Sequence, residues 1–309
     1  MELSDKVTAV SKMQKYIDTH LDEKITLEVL AHAAGYTKYH AARIFKEQTG
    51  KTPFETIRAL RLTKAAQTLR DSDSKVINVA LDNGFDSHDG FTRAFARQFD
   101  ITPRKYQRET PAISYFIHYP IEAYYTLRSD EHMRSSEHRK EEKAMPNEKV
   151  SKTVTVTNVE RPPRKLIFLR HNATDYFSAC EEVGCNWEGF YNSIPERFDS
   201  AAGGRLPCFL IRSDTGTDAF FVEVPLDYEK PLPEGYEIAE LPPCTYLYFN
   251  GMPFDNQNDF CIAIGILNEA IASYPFEKFG WKRSENAPFL GMGAEAKTGA
   301  RTAIPVEPV

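Results

Sequence analysis

Arg43 and Arg93 stand 50 residues apart, each in a stretch whose apolar residues repeat at helical spacing. A guanidinium on an exposed helix face can pair two donors with a guanine edge or grip a phosphate. In the first stretch Ala41, Ile44 and Phe45 share one face, leaving Tyr39, Ala42, Arg43 and Lys46 on the other. Tyr39 could pack on a thymine methyl or a sugar, while Lys46 and His40 are placed for phosphate. In the second stretch His88, Asp89, Thr92 and Arg93 occupy the corresponding face. A carboxylate accepts from cytosine N4 but repels phosphate, so Asp89 makes this helix the expected weaker reader.

The second half offers different chemistry. Trp187, Tyr191, Tyr246, Tyr248, Trp281 and Phe289 could wall a site for a flat apolar ligand. Glu223 shares a face with Phe221 on a strand that otherwise reads as buried, and buried carboxylates are rare unless paired or functional. Glu188 and Glu295 are further acidic candidates, Glu295 reading as a surface edge. Tyr246 and Tyr248 alternate with Leu247 and Phe249, and the tyrosine face is expected to leave the core. His171 beside Asp175 reads as a polar strand end rather than a general base. No Ser/His/Asp order, Gly-rich phosphate loop or HExxH motif is present, so the chain is not expected to be an enzyme. Five cysteines without a CxxC pair or a histidine cluster read as free thiols, with neither metal nor cofactor expected.

The elements that must position these residues fall into two repeats. Lys6–Leu21 reads as a helix. Thr26 then caps a short one, Gly35 turns, and Thr37 caps a third from Lys38 to about Gln48. A long helix follows from Pro53 to Leu69. The same grammar returns with Val76, Val79 and Ala80, the turn at Gly84, and Ser87–Gln98. Phe45 and Phe95, and Thr52-Pro53 and Thr102-Pro103, keep the 50-residue offset, which argues for a tandem unit. Residues 1–108 hold 18 Lys+Arg against 14 Asp+Glu, whereas the rest hold 20 against 30. A basic front and an acidic back fit a chain whose front meets phosphate.

Ile113–Leu127 reads as strand or packed loop, and the charge-dense Ser129–Lys149 as a solvated linker or exposed helix. Beyond it Glu160-Arg-Pro162-Pro163 returns as Glu240-Leu-Pro242-Pro243, an offset of 80 shared by Val224-Pro225 and Ile304-Pro305. Each copy reads strand, helix, strand, strand. The first is Lys165–His171, Asp175–Ile194, Leu206–Arg212 and Ala219–Pro225; the second is Cys244–Asn250, Asn256–Tyr274, Pro288–Gly293 and Ala300–Pro305. The expected architecture is multidomain: an all-α tandem helix-turn-helix domain over residues 1–110, a linker over 111–150, and an α+β domain of two βαββ repeats over 151–309. No apolar run is long enough for a membrane span, and the N-terminus carries no signal core, so a cytoplasmic chain is expected.

From Leu27 to Tyr106 the chain resembles the DNA-binding domain of AraC/XylS-type regulators. The carriers are Gly35-Tyr36, Arg43-Ile-Phe45-Lys46, Gly50, Pro53 and Arg61, then Gly84-Phe85, Phe91, Phe95, Phe99, Pro103 and Tyr106. The resemblance implies two recognition helices in successive major grooves of double-stranded DNA. Residues 152–309 resemble the GyrI-like effector-binding domain, through the paired Pro-Pro anchors, Asn186-Trp-Glu-Gly189, Val222-Glu-Val-Pro225 and Ile304-Pro-Val306. Gly291 and Gly293 stand where that family often has a Glu and a Tyr facing a cationic ligand. A neutral or weakly polar aromatic effector is therefore favoured over a cation, unless Glu223 supplies the countercharge. Together the resemblances imply a ligand-responsive transcription regulator, an activator more often than a repressor, with RNA polymerase as an expected partner. The alternatives are a tail acting as a hydrolase through Glu223, or as a protein-interaction module.

Overall fold

In a computed structural model, the described residues are 4–118, 120–122, 125, 150–173, 176–184, 187–198, 203–212, 216–256 and 259–309. Contacts divide the chain into Met1–Pro111 with Tyr115–Glu142, and Ala112–Ser114 with Lys143–Val309.

The first unit is helical: α1 (Asp5–Thr19), α2 (Leu27–Ala34), α3 (Lys38–Thr49), α4 (Pro53–Asp71), α5 (Val76–Asp82), α6 (His88–Phe99) and α7 (Pro103–Glu109). Val10, Met13, Ile17, Leu30, Ala41, Ile44 and Phe45 form one buried cluster across α1, α2 and α3. On α6 the spacing of Phe91, Phe95 and Phe99 puts three rings on one buried face, with Tyr106 of α7 against Phe95. Each buried ring contributes on the order of 1.5–3 kcal/mol, so these stripes fix which sides of α3 and α6 turn outward. Gly35 ends α2 at φ +72°, a left-handed conformation that a Cβ would strain. The Thr26 hydroxyl accepts from Val29 N–H, but the Thr37 side chain, at the N-cap of α3 as expected, makes no capping hydrogen bond.

The stretch expected as a linker is structural where it is described. Phe116 N–H donates to Thr63 Oγ1 at 2.9 Å, Ile121 N–H to Gln14 Oε1 at 2.9 Å, and Glu122 accepts from Ser11 at 2.8 Å. The Tyr115 and Tyr106 hydroxyls are 3.0 Å apart in the core. Ser129–Lys149 lies outside the described residues.

Among the described residues, the second unit is one antiparallel sheet with three α-helices, α8 (Tyr176–Glu182), α9 (Trp187–Ser193) and α10 (Phe260–Ser273). Its strands are β1 (Val154–Arg161), β2 (Arg164–His171), β3 (Gly203–Arg205), β4 (Asp218–Pro225), β5 (Glu237–Leu241), β6 (Cys244–Gly251), β7 (Trp281–Arg283), β8 (Leu290–Glu295) and β9 (Gly299–Pro308). The order is β1-β6-β9-β8-β3-β4-β2-β5, with β7 on β9. Three expectations are corrected. Val183-Gly184, at φ +78° for the glycine, breaks the helix expected over Asp175–Ile194 into α8 and α9. Leu206–Arg212 is not a strand: Pro207 offers no N–H to a ladder, and Cys208–Leu210 makes a 3-10 turn. Each Pro-Pro pair is preceded as well as followed by a strand, so β1 and β5 were missed; their half-exposed alternation lacks the apolar signal of β2 and β4.

One sheet face carries α9 and α10, through Ile167, Val222 and Phe190 near one end and Leu247, Phe249 and Leu267 near the other. The opposite face gathers Leu166, Phe168, Phe221, Tyr246, Leu290 and Ala303. Both faces of β6 are thus covered. The expectation that its tyrosine face leaves the core fails, because Tyr246 is fully buried and Tyr248 half-buried.

Candidate nucleic-acid interface and a buried ionic centre

Helix α3 places Tyr39, Arg43 and Lys46 on the surface, with Tyr39 89% exposed despite its ring. A large, unpacked aromatic flanked by cations is an unusual use of apolar area unless something covers it. Arg43 donates to His40 Nδ1 at 3.1 Å and lies 3.5 Å from Glu47, an exposed pair worth on the order of 0–1 kcal/mol and easily exchanged for another anion. His40 is half-buried and packs its ring 4.6 Å from Tyr36, so it positions Arg43 more than it reaches outward.

Helix α6 differs. Ser87 caps it by accepting from Gly90 N–H at 3.1 Å, and His88, Asp89 and Arg93 are exposed. His88 Nδ1 lies 3.6 Å from Asp89. Thr92 departs from expectation: it is half-buried and its hydroxyl oxygen is shut from solvent, so it presents no polar group outward. Arg93 is the exposed cation left on that face, and among the described residues it enters no ion pair.

The residues expected to wall an effector site do not converge. Trp187 stacks on Phe220 at 4.6 Å and 3°, with Tyr191 beside it. These rings, with Phe221, border a cavity of about 10 Å³, room for one water at most. Trp281 packs in the separate cluster under α10, and Phe289 is 38% exposed. Glu223, Tyr246 and Tyr248 do come together, around a residue that sequence reasoning missed.

That residue is Arg164. It and Glu223 are both completely buried, with Arg164 Nε and Nη2 each 2.6 Å from Glu223 Oε1. The same guanidinium donates to the carbonyls of Pro162 at 3.4 Å and Pro242 at 3.0 Å, tying together the two Pro-Pro anchors. Its remaining neighbours are Cys244 Sγ at 3.2 Å and the Tyr246 hydroxyl at 3.3 Å. Tyr246 in turn donates to Pro288 O at 3.0 Å. Arg161 adds a second cation, its Nε 3.8 Å from Glu223 Oε2 and its Nη2 donating to Tyr248 at 2.7 Å. Strands β2 and β6 are far apart in the sheet order, so this meeting requires the sheet to curl round its inner face.

Electrostatics follow from burial. Burial opposes the charge of Arg164, but Glu223 first, with Tyr246 and Cys244, together outweigh it and hold the guanidinium firmly protonated. Burial first, then the negative charge of Glu223, pushes the Tyr246 hydroxyl well above the ordinary tyrosine range. Burial likewise raises the Cys244 thiol, against the pull of Arg164. Arg164 was detectable in principle: it alternates in phase with Leu166 and Phe168 directly after Pro163.

Gly291, where a family carboxylate was expected, has its own structural reason. It pairs with Gly203 where β3 meets β8, and a Cβ there would sit 3.0 Å from Gly203 O. Gly204, at φ +156°, would drive a Cβ to 2.2 Å from Phe289 O. The two strands can approach only because these positions carry no side chain. His171 is buried at a strand end, within 3.1 Å of Ala173 O; Asp175 lies outside the described residues. No described helix is long and apolar enough to cross a membrane.

Residues 30–109 match the family model described as a helix-turn-helix domain. The chain is 37% identical over 117 residues to the transcriptional regulator Rob of Salmonella typhimurium, covering 38% of this chain and 40% of Rob. It thus spans about 40% of the length of the Rob relatives it matches. It is 36% identical over 98 residues to the regulatory protein SoxS of Salmonella typhimurium, covering 32% of this chain and 92% of SoxS. A solved structure of a probable AraC family transcriptional regulator from Rhodopseudomonas palustris aligns at 25% identity and a TM-score of 0.32, over 33% of this chain and 95% of that one.

Proposed function

The chain belongs to the AraC family of helix-turn-helix regulators, and from that premise we propose that it is a transcription regulator whose first unit reads DNA with α3 and α6. The observation that carries the reading is the exposed Tyr39–Arg43–Lys46 face of α3, rigidly aimed by its buried Ala41, Ile44 and Phe45. Arg43 reads a base, Lys46 holds phosphate, and Tyr39 lies against a sugar or a thymine methyl. The 50-residue recurrence from α3 to α6 supports a tandem arrangement and a site of about two helical turns, asymmetric because the two reading faces differ.

The second unit is proposed as a GyrI-like sensor of a small organic effector that alters DNA affinity or recruitment of RNA polymerase. Its strand order maps onto itself when β1, β6, β9 and β8 are exchanged for β5, β2, β4 and β3, as two joined copies require. Glu223 is already neutralised by Arg164, which favours an uncharged ligand over a cation. The same pairing weighs against Glu223 as a hydrolytic base, because a base must reach a water.

The test is selection of duplexes from a random pool by the full chain. Enrichment of one asymmetric sequence, weakened by Arg43→Ala, is the expected result. Absence of enrichment, with retention no better than for a protein of matched charge, overturns the reading.

A further inference from the structure

Beside α6 runs a groove of about 490 Å³. Arg58 and Arg61 line it from α4, and Arg93 and Arg97 from α6; Asp86 is its one carboxylate. Arg61 is committed to the backbone, donating to Leu21 O at 3.0 Å and to Glu23 O. Arg58, Arg93 and Arg97 are exposed, and among the described residues they enter no ion pair. Three guanidinium groups left facing one groove repel one another unless an anion is meant to lie between them.

Helix geometry says which anion. At ~100° per residue, Arg93 and Arg97 stand about 20° either side of the direction opposite the Phe91–Phe95–Phe99 stripe, with Gly90 and Ala94 on the Arg97 flank and Thr92 and Ala96 on the Arg93 flank. A helix about 10–12 Å across fills a major groove about 12 Å wide, so a phosphate strand runs against each flank. The flank carrying Gly90, Ala94 and Arg97 is the one that Arg58 faces across the groove. Small residues there leave space, and Arg58 and Arg97 supply charge on both sides of it.

We propose that this groove holds the sugar–phosphate backbone flanking the base pairs read by α6, with Arg58 of the connecting helix and Arg97 as phosphate contacts. The proposal rests on the DNA-reading function above. It gives α6 a backbone grip that its reading face, weakened by Asp89 and by the buried Thr92 hydroxyl, does not supply.

The experiment is fluorescence anisotropy of the full chain on the selected duplex and on an unrelated duplex, across a salt series. Arg58→Ala and Arg97→Ala should each weaken both duplexes by the same factor and lower the slope of log K against log salt by about 0.9. Arg58→Lys should restore the slope, since a point charge suffices for phosphate. Unchanged slopes in both alanine variants, with Arg43→Ala still weakening the selected duplex, overturn this inference alone. If wild type retains neither duplex, the DNA-reading function itself fails. Loss confined to the selected duplex would make these arginines base readers and overturn the phosphate assignment. Unchanged DNA affinity with lost transcription in vitro would overturn it in favour of an acidic protein surface. Helical circular dichroism of each variant guards against misfolding.

Discussion

The first unit keeps the guanidinium groups of α3 and α6 at the surface, whereas the second buries one completely and surrounds it with acceptors. Arg43 has one exposed carboxylate within 3.5 Å, and Arg93 has none among the described residues. Arg164 has Glu223, two proline carbonyls, a thiol and a tyrosine hydroxyl. A charge left in water costs the fold little and stays available to a partner, while a charge taken out of water must be fully satisfied inside. The two units therefore use the same side chain for opposite ends, the proposed recognition in one and closure of a curled sheet in the other.

The sharpest way to break that contrast is to remove one partner of the buried pair. Glu223→Ala leaves the buried Arg164 without its countercharge and should cost about 3–5 kcal/mol of unfolding free energy in urea, whereas Arg164→Ala, which leaves Glu223 the Arg161 guanidinium at 3.8 Å, should cost less. Replacing both, as Arg164→Met with Glu223→Leu, should recover much of the loss, because the two completely buried charges go together while the volume is kept and Arg161 retains the Tyr248 hydroxyl. A double variant as unstable as the single ones would mean that the proline carbonyls, not the ion pair, are what Arg164 serves.

On the exposed side, Arg43→Ala should leave stability within about 0.5 kcal/mol of wild type. It should weaken the selected duplex by about 1–3 kcal/mol and relax preference at one base position. Equal weakening of all duplexes would make Arg43 a phosphate contact. Between the two reading helices the expected effects are smaller. Arg93→Ala should cost less than Arg43→Ala, and Asp89→Asn should tighten every duplex severalfold by removing a charge that repels phosphate. Asp89→Asn that weakens one sequence only would show the carboxylate accepting from a cytosine.

What could be read from sequence follows the same division. The periodicity of Ala41, Ile44 and Phe45, and of Phe91, Phe95 and Phe99, fixed the outward faces of α3 and α6 because helical burial is local in sequence. Thr92 escaped because the closure of its hydroxyl depends on neighbours outside the helix. The paired Pro-Pro anchors marked β2 and β6, but not that Arg164 would hold both turns, a contact spanning 78 residues. The aromatic effector walls failed to meet because local spacing assigns a side within each element, a helix for Trp187 and a strand for Trp281, not which elements pack together. Arg58 and Arg97 lie on different helices, and only tertiary packing brings them to one groove.

The smallest expected effect tests whether an exposed carboxylate of the first unit also serves the fold. Thr52 and Glu55 form a reciprocal cap at the start of α4: Glu55 N–H donates to Thr52 Oγ1 at 3.3 Å, and Thr52 N–H to Glu55 Oε2 at 2.8 Å. The Thr52 backbone N–H, then its hydroxyl, holds the Glu55 carboxyl below its ordinary value of about 4.5. A carboxyl depressed in the folded state stabilises it above the unfolded value, and that contribution is lost as pH falls through the folded value. Acidification from neutrality to below about pH 4 should therefore weaken the cap, and Glu55→Gln should flatten that part of the profile while leaving Glu223 untouched. Thr52→Ala, which removes the hydroxyl partner, should cost about 1 kcal/mol at neutral pH. Urea midpoints for wild type and both variants at neutral and acid pH decide it. If Glu55→Gln is as acid-sensitive as wild type, the carboxylate at this helix start is only a surface charge.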